Sequence, residues 1–259
     1  MLNECQRIEI RAVINESLDR AERHWKKGGH ELVEKSGLAK THSIVILEDQ
    51  EPSKIPGHNI VQDDETVIDE FIAFVADMRD SSKHLMCEIS QKTASASGLE
   101  RVFYETSALL PALALAVQYE DGNVTEYLGD GVLALFRVNP EKADDAIYAA
   151  HRSAKNSIRG IRDIVNDILN ERYGLPVIDL GVGLSLSKTL VTLVGLPKQK
   201  QPKAFGECVF RATKLSGGRN QILADRNLRI AWPKRKGGSL VFKQKSMKGV
   251  NGYLLSKAE

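Results

Sequence analysis

The stretch VIDEFIAFVAD, Val67 to Asp77, constrains the fold more than any other part of this chain. It is an apolar run rich in β-branched and aromatic residues that ends abruptly in the polar DMRDSS, which predicts a buried strand stopping at Asp77. A sheet must surround such a strand, and its partners follow in the chain. TEYLGDGVLALF, Thr125 to Phe136, reads as a β-hairpin with Val124, Tyr127 and Leu128 before the turn and Val132, Leu133, Leu135 and Phe136 after it. Gly129, Asp130 and Gly131 suit the turn because glycine and aspartate tolerate positive φ.

Two long helical patterns flank the hairpin. GLERVFYETSALLPALALAVQYE, from about Gly98, predicts an amphipathic helix with a kink or break at Pro111. The segment from Pro140 to Gly174 repeats Ala146, Ala149, Ala150, Ile158, Ile161, Ile164, Val165 and Ile168 at helical spacing and predicts one long helix. VIDLGVGLSLS and TLVTLVG then read as two strands of a second hairpin, followed by a loop with Pro197 and Pro202. ECVFRATKLSGG predicts a short helix stopped by Gly217 and Gly218, and QILAD, SLVFKQ and GYLLS predict further short strands. At the other end, residues 2–27 predict an amphipathic helix that halts at Gly28 and Gly29, THSIVILED a strand, and QEPSKIPGHN a loop. The order implies an α+β chain built on a split β-α-β, ferredoxin-like βαββαβ core with helices on one face and additional strands. Residues 1–60 form an N-terminal helix and strand extension in this reading, and 61–259 the main domain.

Composition narrows the classes of function. Thirty-six basic against 34 acidic residues leave a formal charge of +2, too little for a nucleic-acid track or membrane adhesion by bulk electrostatics. The start mixes charges from residue 4 onward, unlike a signal peptide, and no run of about 18 apolar residues predicts a membrane span, so the expected location is the cytoplasm. Cys5, Cys87 and Cys208 have no disulfide or metal-site spacing and are expected to be buried free thiols.

Asp77 and Asp130 carry the chemistry. With their strands adjacent, the two carboxylates project from one sheet edge and form a hard anionic oxygen site suited to Mg2+ or Mn2+, with phosphate oxygens completing the coordination. Each has a plain structural alternative, a hairpin turn for Asp130 and a helix cap or loop for Asp77. The text after Asp77 bears on that choice: a strand leading through Arg79 to Ser81 and Ser82 at a helix start is a natural phosphate cradle.

FVADMR with YLGDGVLALF, followed by ADDAIYAAHRSA, GVGLSLS and FGECVFRATKLSG, resembles the catalytic domain of class III nucleotidyl cyclases over about residues 67–255. The resemblance implies that Asp77 and Asp130 hold two divalent cations, Mn2+ or Mg2+, with the Met78 carbonyl as a backbone ligand. The 3′-hydroxyl of a nucleoside triphosphate then attacks the α-phosphorus and pyrophosphate leaves. It also implies a homodimer with shared active sites.

Departures from the family concern the substrate. Glu126, three residues before Gly129, and Lys203, three before Gly206, hold the base-reading positions and match neither the adenine nor the guanine set. The alternative for this pair is a salt bridge with no part in base reading. The family's Asn-x-x-x-Arg falls on Phe210 and Lys214, so the phosphate-stabilising cation is Lys214, or Arg211 one turn earlier. Ser185 to Ser187 replace the usual His-Thr-Gly. With the DMRxSS-like text, this combination resembles the bacterial Pycsar pyrimidine cyclases. That implies UTP, or CTP, as substrate and a cyclic-nucleotide effector downstream in antiphage defence. The alternatives are an adenylyl or guanylyl cyclase, and a catalytically dead domain that senses nucleotide. His84 and His151 read as packing or surface residues, Tyr104 as core or as a ring lining the base pocket, and PKRKGG and KQKSMK as solvated basic faces.

Overall fold

A computed structural model describes residues 1–29, 53–62, 66–86, 98–196, 199–234 and 238–257. The run identified above becomes β1 (Val67–Met78), whose residues Phe71 to Ala76 are all buried. It pairs antiparallel with β3 (Gly131–Arg137) on one side and β4 (Leu180–Val194) on the other, and β2 (Asn123–Tyr127) pairs with β3. The order β2-β3-β1-β4 is that of the expected ferredoxin-like core. β5 (Gln201–Gly206) pairs with the far half of β4, and β6 (Gln221–Ala224) runs parallel to its near half. β7 (Leu240–Met247) and β8 (Val250–Lys257) complete the sheet through β6.

Seven α-helices accompany it among the described residues: α1 (Glu4–His24), α2 (Ser81–Met86), α3 (Gly98–Gln118), α4 (Ala143–Asn156), α5 (Arg162–Tyr173), α6 (Glu207–Leu215) and α7 (Arg226–Ala231). Asn3 and Gln6 form a reciprocal capping box at the start of α1. α4 and α5 are joined by a π-helical turn, Ser157–Ile161, into the long helical run expected, and Gly174 ends it in the left-handed conformation that caps so many helices. The expected break at Pro111 does not occur. α3 runs through it to Gln118 because Ala108, Leu109, Ala112 and Leu113, fully buried on either side, outweigh a helix cost of about 3 kcal/mol.

Three further expectations need correction. VIDLGVGLSLS and TLVTLVG are one strand, β4, paired with β1 without interruption from Leu180 to Val191. No turn residue separates them, and Lys188 simply points outward in the alternation. Pro202 lies in a strand, not a loop; β5 is bonded only to β4, and an edge tolerates the donor that proline lacks.

The helices also occupy both faces. Ile72, Phe74 and Ala76 of β1 face a core shared with α1, α3, α4 and α5, whereas Phe71, Ala73 and Val75 face Cys208 and Ala212 of α6. α6 can lie this close because Gly181 and Gly183 have no side chain; a Cβ on either would meet the backbone of Ser216 or Ala212. α1 contributes Ile10, Ile14, Leu18 and Ala21 to the first core. Cys208 is a buried free thiol as expected, but Cys5, also expected to be buried, is exposed in the first turn of α1, while Cys87 and the expected strand THSIVILED lie outside the described residues. Among the described residues no helix is long and apolar enough to cross a membrane.

Candidate active site

Period-2 alternation puts Asp77 on the face of β1 that Phe71, Ala73 and Val75 present to α6. Asp77 registers with Gly131 of β3 and Gly181 of β4, and the next residue's amide, Met78 N–H, donates to the Asp130 carbonyl at 3.1 Å. The hairpin turn closes through the Leu128 amide donating to the Gly131 carbonyl at 2.8 Å, with Gly129 at φ +77°. Gly131 is needed for proximity, since a Cβ there would run into the Ala76 carbonyl. Asp77 and Asp130 therefore meet at the ends of adjacent strands, both partly exposed.

Arg79 stands over this pair. Its guanidinium forms an ion pair with the Asp77 carboxylate, and its Nε lies 3.4 Å from the Asp77 carbonyl. Burial lowers the Arg79 pKa while the negative charges of Asp130 and Asp80 oppose that fall, so both aspartates of the pair act on one cation. The Arg79 amide donates to the Asp179 carbonyl at 2.8 Å. Asp179 and Asp80 share Arg219 in two ion pairs. Bonds from Arg219 and Lys83 hold the Asp80 carboxyl below its ordinary range. Burial pushes Asp179 up, but bonds from Asn220 (2.6 Å) and Arg219 overcome it and its carboxyl is also lowered. Asp80, Asp179, Arg219 and Asn220 were invisible in the sequence, because single polar residues in loops carry no periodic signal.

Asp80 adopts φ +61°, and its carbonyl accepts the amides of Lys83 (2.8 Å) and His84 (3.0 Å), which turns the chain from β1 into α2. Ser81 and Ser82 open that helix, within a few residues of the carboxylate pair. The remaining candidates lie elsewhere. Glu126 and Lys203 form an ion pair at 3.0 Å, each about a third exposed (36% and 34%). On α6, Arg211 pairs with Glu207 at 2.5 Å, and the Lys214 ammonium sits 5.5 Å from the centre of the exposed Phe210 ring. Among the described residues neither cation of α6 forms an ion pair with Asp77 or Asp130. Tyr104 is core: it stacks on Tyr173 at 4.5 Å and donates to Glu100 at 2.9 Å. His84 is bonded to the buried Glu105 at 2.9 Å, and His151 packs on Trp232.

Among the described residues no group of three or more His, Cys, Asp or Glu side chains is placed to hold a metal. Two carboxylates remain as the hard-oxygen donors. That set suits a small divalent cation whose other ligands come from water or phosphate rather than from the protein.

No family model matches the chain. A stretch of 137 residues is 24% identical to an adenylate cyclase of Anabaena cylindrica, covering 51% of this chain and 26% of that relative, so the chain corresponds to about a quarter of the relative's length. Among solved structures, an adenylyl cyclase from P. aeruginosa superposes with a TM-score of 0.58 at 15% identity, over 75% of this chain and 97% of the other. A guanylyl cyclase gives 0.56 at 17% identity, over 74% and 94%. The fold is therefore that of nucleotidyl cyclase domains. In this chain Asp77 and Asp130 stand at the ends of the adjacent strands β1 and β3.

Proposed function

We propose that this chain is a nucleotidyl cyclase that converts a pyrimidine nucleoside triphosphate, UTP in preference to CTP, to its 3′,5′-cyclic monophosphate and pyrophosphate. The observation that carries this reading is the junction of Asp77 and Asp130 on adjacent strands of a cyclase fold, locked by the Met78 amide on the Asp130 carbonyl. Asp77 and Asp130, with the Met78 carbonyl, are the residues to hold two divalent cations, Mn2+ or Mg2+. Such cations polarise phosphate and stabilise the charge that develops on attacking and leaving oxygens.

Arg79, paired with Asp77, would turn to the triphosphate, for which Ser81 and Ser82 at the start of α2 would offer hydroxyls. Base choice falls to Glu126 and Lys203, whose mutual ion pair leaves neither in an adenine or guanine arrangement. Arg211 or Lys214 would come from a second copy, since within one chain Arg211 is paired with Glu207 and Lys214 lies over Phe210. Exposed Phe205, Phe210, Tyr127 and Leu128 supply apolar surface for that homodimer. The product would act as a cytoplasmic second messenger on a cyclic-nucleotide effector in antiphage defence.

Purified protein incubated with Mn2+ or Mg2+ and each of the four nucleoside triphosphates tests this directly. Cyclic UMP as the main product is expected. Cyclic AMP or cyclic GMP as the main product transfers the chain to the purine cyclases, and no cyclic product from any substrate ends the enzymatic reading. Phe210 in place of the family's asparagine favours one rival, a domain that binds nucleotide without turning it over. Calorimetry showing nucleotide binding with no turnover would support that rival.

A further inference from the structure

On the sheet face opposite Asp77, a cavity of about 830 Å³ opens between α4, the π-helical turn, β6, β7, β8 and the residues Arg229, Trp232 and Lys234. None of the candidate active-site residues lines it. Its walls carry six cations, Arg152, Lys155, Arg159, Arg229, Lys234 and Lys257, and no acidic side chain among the described residues. Arg152 pairs with Glu120 at 2.6 Å and Arg229 lies over the Tyr253 ring at 4.2 Å; among the described residues no carboxylate pairs with the other four. A surface that merely solvates its lysines intersperses the two signs, so this concentration is a field aimed at an anion.

The floor is aromatic. Trp232 meets His151 and Phe242 edge to face, at 5.2 Å in each case, and Tyr148 adjoins them. His151 stays neutral, its pKa pushed down to about 4 by burial and by Lys155 and Arg152, so it behaves as a flat ring rather than a seventh cation. The volume lies within the range of small-molecule pockets.

We propose that this cavity is a second ligand site, for a phosphate-bearing molecule with a flat ring, of mononucleotide size. Lys155, Arg159 and Lys234 take the phosphate, and Trp232 and Phe242 pack the ring. The site stands independently of the cyclase reading, because its test measures binding and no turnover.

Trp232 reports on its own site. In the full-length Trp25→Phe protein it is the one remaining tryptophan, and its fluorescence can be titrated with UMP, with AMP and with inorganic phosphate, with EDTA present throughout. A saturable change with a Kd below about 1 mM for at least one nucleotide is expected. Inorganic phosphate should bind at least about tenfold more weakly, as should the nucleotide to the Lys155→Ala/Arg159→Ala protein, whereas Asp77→Asn should bind unchanged. The melting temperature verifies that the double variant is folded, and Lys257→Glu serves in its place if it is not. The proposal is overturned by no saturable change with either nucleotide, by phosphate binding as tightly as nucleotide, or by full affinity after loss of the cations.

Discussion

Asp77 and Asp225 are both aspartates at the end of a strand, and their surroundings give them opposite tasks. Asp77 is partly exposed and held by a cation, so its charge is available to a ligand. On the proposed cyclase reaction, Asp77→Asn and Asp130→Asn should each lower turnover by at least about 100-fold, because in that reading each removes a hard anionic oxygen worth several kcal/mol in the transition state. Melting temperature, read alongside, should stay within a few degrees. Asp225 is fully buried, accepting from the Leu228 amide at 2.9 Å and the Ser185 hydroxyl at 2.8 Å, and it caps α7. Burial raises its pKa above the ordinary 3.8, against the bonds that lower it. The folded state thus holds this proton more tightly than the unfolded chain, and the contribution to stability falls as pH rises from below the ordinary value through the raised one. Asp225→Asn keeps the acceptor and removes the charge, so denaturation at pH 7 should show equal or greater stability and a flatter acid profile. Asp225→Ala loses the cap and should cost about 1–2 kcal/mol. None of this was legible in QILAD, where Asp225 looks like any polar residue closing a strand.

At the scale of elements, strands with a continuous apolar pattern were legible and their junctions were not. β1 and the β2–β3 hairpin stand where their patterns put them, because burial on a pleated sheet leaves a period-2 trace in the residues themselves. β4 looked like two strands because its length exceeds the usual range, and β5 was hidden by Pro202. α6 was legible as a helix, but its face of the sheet was decided by two glycines 24 or more residues upstream of it. Gly183→Ala should therefore push α6 outward. A loss of about 2–3 kcal/mol in chemical denaturation is expected, the scale of an overpacked core. Because the same helix carries Arg211 and Lys214, cyclase activity should fall with it. A surface control such as Thr213→Ala, on the exposed side of α6, should leave both within about 0.5 kcal/mol of the parent.

The whole molecule raises a question that no single chain answers, namely how cations on α6 meet carboxylates they do not touch. If two copies share their sites, a chain lacking Asp77 and one lacking both Arg211 and Lys214 are each inactive alone. Mixed in equal amounts, they should recover about a quarter of parental activity, since half the dimers are mixed and each of these holds one intact site. No recovery after verified subunit exchange would mean that each chain works alone or not at all.

By itself the sequence determined that this is an α+β chain with a buried central strand, and that a Gly-Asp-Gly turn and a strand-ending aspartate are candidates for one site. These follow from local rules, the alternation of burial and the φ that a turn demands, which each short segment obeys on its own. Tertiary structure decided which residues those aspartates meet. The Met78 amide on the Asp130 carbonyl, Arg219 clamping Asp80 to Asp179, and six cations lining one cavity with Trp232 all depend on segments far apart in the chain being brought together. Electrostatic energy depends on that distance and on the burial of each charge, and neither is a property of a residue's neighbours in sequence.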